Sequence, residues 1–417
     1  MKKRVTLKRT IRWTVRLLFL VLAVFFAIGG PLPGIAVELF PKLENLPTSI
    51  ARIFPGLSPL VLASSTLTET SWYAGLYWGL PPLAVLLLAV WKGRLFCRWV
   101  CPAGTAYAIP ATFSMKKTLV PKRLSGIVFW SILGGAAIGM PLFIFLDPLA
   151  NFNRATILIT GTYTAASIIP GIILPLFLLL SAVQPLLWCT HFCPLGYCFD
   201  LVYRRSLKRR WQSPELRREV VLGLFIGIPL AFIARKFPRA KGAEEDHPVL
   251  PPGAKDIDTF AARCTRCYAC VNACPSGVIR VGNPVGRRIS QFFHPELEQD
   301  KAHCEEFCNE CTQVCPAGAL QPLTVDEKRH RQIGVAKVRR EACLAWADNE
   351  YCMVCQEHCP YLAIENEPSP EGIPRPVVLP DICRGCGHCE QTCPAIRAGK
   401  AIIVYGVKAQ KEAEDAF

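Results

Sequence analysis

Five apolar runs dominate the first half of the chain, at about residues 17–35, 72–91, 124–145, 164–188 and 220–234. A helix needs ~20 predominantly apolar residues to cross a bilayer, and most of these runs reach that length. The first is broken by Gly29, Gly30, Pro31 and Pro33, and the last is short. Pro81, Pro82, Pro141, Pro170 and Pro175 fall inside runs. Membrane bundles tolerate such breaks because neighbouring helices satisfy the freed backbone groups. The helices of a soluble core are the alternative, and they are shorter than this. The second half changes its pattern. Short apolar runs at 278–281, 319–320, 335–338, 362–364, 376–379 and 401–404 predict small β-hairpins. Residues 237–260 contain Pro238, Pro248, Pro251, Pro252 and Gly253 and read as a linker. The expected fold is a polytopic α-helical membrane domain followed by an α+β ferredoxin-like domain.

Charge follows the same division. The 417 residues carry a formal net charge of +15. Residues 1–234 hold 24 Lys and Arg against 7 Asp and Glu, while residues 235–417 hold 23 against 25. A second half without basic excess argues against nucleic acid as a partner. Basic residues number 7 before the first run, 2 in 37–71, 7 in 92–123, 1 in 148–163 and 7 in 189–218. Basic loops stay on the cytoplasmic side. That alternation predicts a cytoplasmic N-terminus, and five spans would put the second half outside. Arg235, Lys236, Arg239 and Lys241 oppose this. If 220–234 is not a span, the second half lies in the cytoplasm.

The cysteines add the chemistry. Of 21, sixteen fall in four groups, each ending in Cys-Pro. They are Cys264, Cys267, Cys270, Cys274; Cys304, Cys308, Cys311, Cys315; Cys343, Cys352, Cys355, Cys359; and Cys383, Cys386, Cys389, Cys393. C-x2-C-x2-C-x3-C-P is the ligand run of a [4Fe–4S] cluster: three thiolates wrap one cubane and the fourth serves the other cluster of a pair. A disulfide scaffold does not repeat one spacing in this way, and a zinc ribbon needs Cys pairs farther apart. The expectation is four clusters. Irregular spacing in the two central groups predicts nested wiring, with Cys393 joining Cys264, Cys267 and Cys270, and Cys274 joining Cys383, Cys386 and Cys389. Cys359 would then join Cys304, Cys308 and Cys311, and Cys315 would join Cys343, Cys352 and Cys355.

Two further motifs, Cys97-x3-Cys101-Pro102-x-Gly104 and Cys189-x3-Cys193-Pro194-x-Gly196, follow the second and fourth apolar runs. They are expected at the cytoplasmic ends of spans, as in a duplicated two-helix unit. Cys97, Cys101, Cys189 and Cys193 are additional redox or metal candidates, either for a fifth cluster or as a dithiol pair. Cys198 is left over. C-x-x-C-H, the attachment motif of a c-type haem, does not occur. No apolar run contains His, which argues against a membrane haem b, and no Gly-rich dinucleotide fingerprint occurs. No residue is assigned a catalytic role.

With these motifs, residues 1–210 resemble the NapH-type membrane ferredoxins, with four spans and paired C-x3-C-P motifs. Residues 216–400 resemble the NapG/MauM family of exported four-cluster ferredoxins, in the order of their four spacings and in Cys343-Leu344-Ala345-Trp346. Glu215-Leu216-Arg217-Arg218-Glu219 looks like a twin-arginine export signal. The usual Ser/Thr before the pair and Phe-Leu after it are missing, and Arg217 and Arg218 serve equally as cytoplasmic anchors. The expected domains are 1–210, the membrane domain; 211–236, a fifth span with that signal as its origin; 237–260, the linker; and 261–417, the polyferredoxin. The resemblance implies a multi-pass protein of the bacterial inner membrane with its cluster domain periplasmic. It implies passage of electrons from membrane quinol to a periplasmic redox enzyme or cytochrome, such as a nitrate-type reductase. The family also includes maturation factors of methylamine-dehydrogenase type, so an assembly role is the alternative. The chain reads as an electron-transfer subunit rather than a quinol dehydrogenase with its own substrate chemistry.

Overall fold

The computed structural model describes residues 2–28, 53–68, 75–114, 124–140, 145–160, 165–205, 211–236, 247–284, 287–395 and 399–414. Parts of the expected runs (29–35, 72–74, 141–144 and 164) and of the expected linker (237–246) lie outside them.

The first half is helical: α1 (Lys2–Ile28), α2 (Pro59–Thr68), α3 (Gly75–Lys92), α4 (Pro102–Ala111), α5 (Leu124–Ala137), α6 (Pro148–Thr160), α7 (Ala165–Gly171), α8 (Ile173–Val183), α9 (Pro194–Val202) and α10 (Pro214–Lys236). Among the described residues, one helical stretch is long and apolar enough to cross a membrane, Ala165–Val183, which joins α7 and α8. The apolar helices Leu80–Lys92 and Leu124–Ala137 are shorter, so among the described residues length and composition give one full span. The run 124–145 stops early because Gly139 turns the chain at φ +75°. The helices nonetheless present apolar side chains outward. Leu80, Leu87 and Trp91 on α3, Ile169 and Leu179 on α7 and α8, and Val221, Phe225 and Ile233 on α10 are all exposed.

Helix α10 packs along α5, and small residues make the approach possible. A Cβ at Gly227 would meet the Ser131 carbonyl oxygen at 2.5 Å, and one at Gly223 would meet Trp130 Cβ at 2.5 Å. The Ser131 hydroxyl donates to the Gly223 carbonyl at 2.9 Å. Gly-x3-Gly spacing lets two helix backbones approach this closely. It ties residues 214–236 into the bundle.

The second half is α+β, as expected. Helix α11 (Ile257–Arg263) precedes three antiparallel two-stranded sheets. They pair β1 (Ile279–Val281) with β2 (Pro295–Leu297), β3 (Arg331–Val338) with β6 (Ile402–Glu412), and β4 (Ile364–Pro368) with β5 (Pro374–Val378). The hairpin runs at 335–338 and 401–404 face each other, with Ala336 opposite Val404. Residues 319–320 form no strand. The described part of the expected linker is core. Val249, Leu250, Ala254, Ile257 and Phe260 are buried among the cluster cysteines, and His247 bridges to Gly406. Pro248, Pro251 and Pro252 are buried and serve packing, not reach.

Candidate iron–sulfur sites

Local backbone conformation shapes each cysteine loop. In the first group Arg266 (φ 53°) and Tyr268 (φ 59°) are left-handed, and in the fourth Gly385 (φ 75°) and Gly387 (φ 84°) occupy the same two places. Those turns swing successive sulfurs to one side. Gly385 has no alternative, because a Cβ there would lie 2.5 Å from the Gly334 backbone of β3.

The quartets differ from the nested expectation. Cys274 lines one cavity with Cys304, Cys308 and Cys311. Cys359 lines a second with Cys383, Cys386 and Cys389. Cys393 lines a third with Cys343, Cys352 and Cys355. Cys315 lies within electrostatic reach of Cys264, Cys267 and Cys270. So the first group exchanges its last cysteine with the second, and the third with the fourth. Nested wiring is wrong because each consecutive pair of groups folds as one module. Within the second module β3 pairs β6 across the third and fourth groups. Irregular spacing is a property of loops and carries no information on partners.

The donor set fits a cluster. Among the described residues, no three His, Cys, Asp or Glu side chains close around a single ion. The sulfurs stand around cavities instead, as a cubane wider than one ion requires. Burial pushes the Cys267 and Cys304 thiols up to about 11 and those of Cys264, Cys355 and Cys386 up to about 12. Thiolates at such sites need a cation, which a bound iron–sulfur cluster would supply. Backbone amides are already aimed at the sulfurs. Leu320 donates to Cys315 Sγ at 3.4 Å, Ala363 to Cys359 Sγ at 3.3 Å and Ala401 to Cys393 Sγ at 3.4 Å. Hydrogen bonds to sulfur set cluster potential.

The modules meet along residues 299–304 and 385–391, where Gln299 Nε2 donates to the Gly385 carbonyl and Gln391 Nε2 to the Lys301 carbonyl. The Cys304 amide donates to the Cys386 carbonyl at 2.9 Å, with Tyr361 beside both cysteines. His303 stacks on His388 at 4.0 Å nearby. Cys389 also lies within reach of Cys355. The quartets therefore run in space as first, second, fourth, third.

The C-x3-C-P cysteines come together inside the bundle. Cys101 and Cys193 cap α4 and α9 and are 4% and 5% exposed. The two halves match: Gly104 N donates to Cys101 Sγ and Gly196 N to Cys193 Sγ, both at 3.3 Å. Cys97 is within reach of the other three sulfurs. Arg94 clamps Asp200 with two bonds (2.8 and 2.6 Å) and reaches the Cys189 carbonyl at 3.2 Å. Tyr107 and Trp188 are fully buried beside this quartet, and their Oη and Nε1 have no protein partner. Cluster sulfides would accept from such donors. The leftover Cys198 is buried on α9.

The two halves are joined at the first quartet. Asn153 Nδ2 on α6 donates to the Cys267 carbonyl at 2.7 Å. Asn272 donates to the Ala27 carbonyl of α1 and to Thr156 Oγ1, both at 3.1 Å. Asp147 lies within reach of Cys101 and Cys193 on one side and Arg154 on the other. Nothing in the spacing of Asn153, Arg154 or Asn272 marks this junction.

Comparison with known proteins agrees with this partition. The 4Fe-4S dicluster domain family matches residues 263–319 and 350–396, one module each. The 4Fe-4S binding domain family matches 74–120 and 166–214, one C-x3-C-P motif each. Ferredoxin-type protein NapF of Escherichia coli (strain K12) is 33% identical over 147 residues, 35% of this chain and 80% of NapF. Methylamine utilization ferredoxin-type protein MauM of Methylophilus methylotrophus is 31% identical over 216 residues, 46% of this chain and 88% of MauM. Ferredoxin-type protein NapG of Haemophilus influenzae is 32% identical over 175 residues, 39% of this chain and 60% of NapG. No solved structure matches.

Proposed function

This chain belongs to the ferredoxin-type proteins represented by NapF and MauM, and from that footing we propose that it is a membrane-anchored relay carrying electrons from quinol to a redox enzyme outside the cytoplasm. A bound [4Fe–4S] cluster supplies a one-electron store. The sixteen cysteines of residues 261–417 would hold four, and Cys97, Cys101, Cys189 and Cys193 a fifth. The protein's own part is to space the quartets, bury them and aim amides at their sulfurs.

One observation carries the reading: thiol quartets follow one another from the interior of the bundle to the far end of the ferredoxin domain. Cys267 is bonded to α6, and Cys304 to Cys386. Exposed apolar side chains on α3, α8 and α10 support a bilayer around the bundle. The sidedness has its own support. The ferredoxin domain docks on α2 and α6, which lie in the two loops poorest in Lys and Arg. Those are the loops expected outside.

The test is anaerobic purification of the whole chain, iron analysis and EPR during graded reduction by a menaquinol analogue. About twenty irons per chain and signals that grow with added quinol are expected. Zinc without iron, or clusters that quinol leaves oxidised, would sink the relay. Likeness to MauM, named for methylamine utilization, keeps assembly of a partner enzyme as the second reading. A maturation factor would be dispensable once the partner is made.

A further inference from the structure

Two arginines are sealed between the bundle and the first quartet. Arg154 of α6 is 0% exposed and Arg266, inside the Cys264–Cys267 loop, is 1% exposed. Arg154 donates to the carbonyls of Arg266 (2.7 Å), Thr265 (2.9 Å) and Phe145 and to Asn151 Oδ1 (2.8 Å). Arg266 donates to the carbonyls of Phe292 (2.9 Å) and Ser290 (2.7 Å), and more loosely to that of Cys264 (3.5 Å). Both guanidinium groups lie over the Phe145 ring, at 4.4 and 5.3 Å.

Neither makes an ion pair with a carboxylate among the described residues. Asp147, the acid within reach of Arg154, is occupied by the Ser58 hydroxyl and the amides of Leu149 and Ala150. A guanidinium keeps its proton even when buried, so each is a cation at neutral pH. A buried charge without a counter-charge is costly. Arg266 also holds a left-handed backbone at a position where the fourth group uses Gly385. Such strain persists where a side chain is needed.

We propose that Arg154 and Arg266 form an electropositive clamp that favours the reduced form of the cluster held by Cys264, Cys267, Cys270 and Cys315 and fastens that cluster to the bundle. The proposal rests on the relay reading. The thiolate quartet adds the counter-charge that no directly bonded carboxylate gives. Taking up one electron adds one negative charge to it, and two buried cations favour that state. The first quartet is thereby set to accept electrons arriving from the bundle, ahead of the second.

The test is an EPR-monitored redox titration of the iron-loaded full chain, with Arg154→Gln and Arg266→Gln against wild type. Each lost charge should shift the oxidised-to-reduced ratio of one cluster about tenfold, or about 59 mV downward, and leave the others in place. Arg154→Lys should restore most of the shift. Loaded variants with unmoved potentials, or a Lys variant that falls as far as Gln, would overturn the clamp. If the Gln variants lose the first cluster, Arg154→Lys decides: loading supports a need for charge, and loss shows packing alone. Wild type without iron would instead sink the relay reading itself.

Discussion

Removing Cys274 tests the wiring most directly. Its sulfur shares a cavity with Cys304, Cys308 and Cys311, so Cys274→Ala should empty the second site and spare the first. One cubane holds four irons, so the single variant should lose about four per chain. Pairs of substitutions sharpen the reading, because two residues serving one cluster cannot each remove it. Cys274→Ala with Cys308→Ala should still lose about four irons, whereas Cys274→Ala with Cys383→Ala should lose about eight. Under nested wiring the two outcomes change places, since Cys274 and Cys383 would then serve one cluster. The assay is iron per chain after anaerobic purification, with EPR to count the remaining signals. A loss of about four irons from the Cys274/Cys383 pair would refute the module assignment.

Other consequences follow from named contacts. Gly385→Ala puts a Cβ within 2.5 Å of the Gly334 backbone and keeps a left-handed φ, so about 1–3 kcal/mol of overpacking should fall on the fourth quartet; full iron and an unchanged melting temperature would argue otherwise. Gly227→Leu should pry α10 from α5 and lower the melting temperature in detergent, whereas an unaltered melt would mean the helices do not cross there. Asp256 caps α11 through the Thr259 amide (2.7 Å) and hydroxyl (2.7 Å), and Asp256→Ala should cost about 1 kcal/mol, read from hydrogen exchange of residues 257–263. Burial works to raise the Asp256 carboxyl, but the Thr259 bonds outweigh it and hold it low. That stabilisation is present above the unfolded value of ~3.9 and is lost as pH falls through the folded one. The difference between wild type and variant should thus stay flat from neutral pH down and shrink only in acid.

Sequence alone determined the cysteine chemistry, because ligand spacing is local. Three thiolates two residues apart can meet one cubane whatever the remaining fold does. The strands at 335–338 and 401–404 were legible for the same reason, since a short apolar run needs no partner to be seen, but the expected hairpins were not: these two strands pair with each other. Partnership was not legible. Which quartet Cys274 completes depends on how the modules fold, and the spacing of Cys304 and Cys308 says nothing of it. The prolines at 248, 251 and 252 looked like linker because composition cannot tell a packed proline from an exposed one. Gly223 and Gly227 were visible as residues, but only the approach of Ser131 makes them a helix crossing. Arg154 looked like one stray charge in a poorly charged loop. Tertiary structure brings it to Arg266 and the first quartet, across 112 residues of chain, and so decides where the two halves meet.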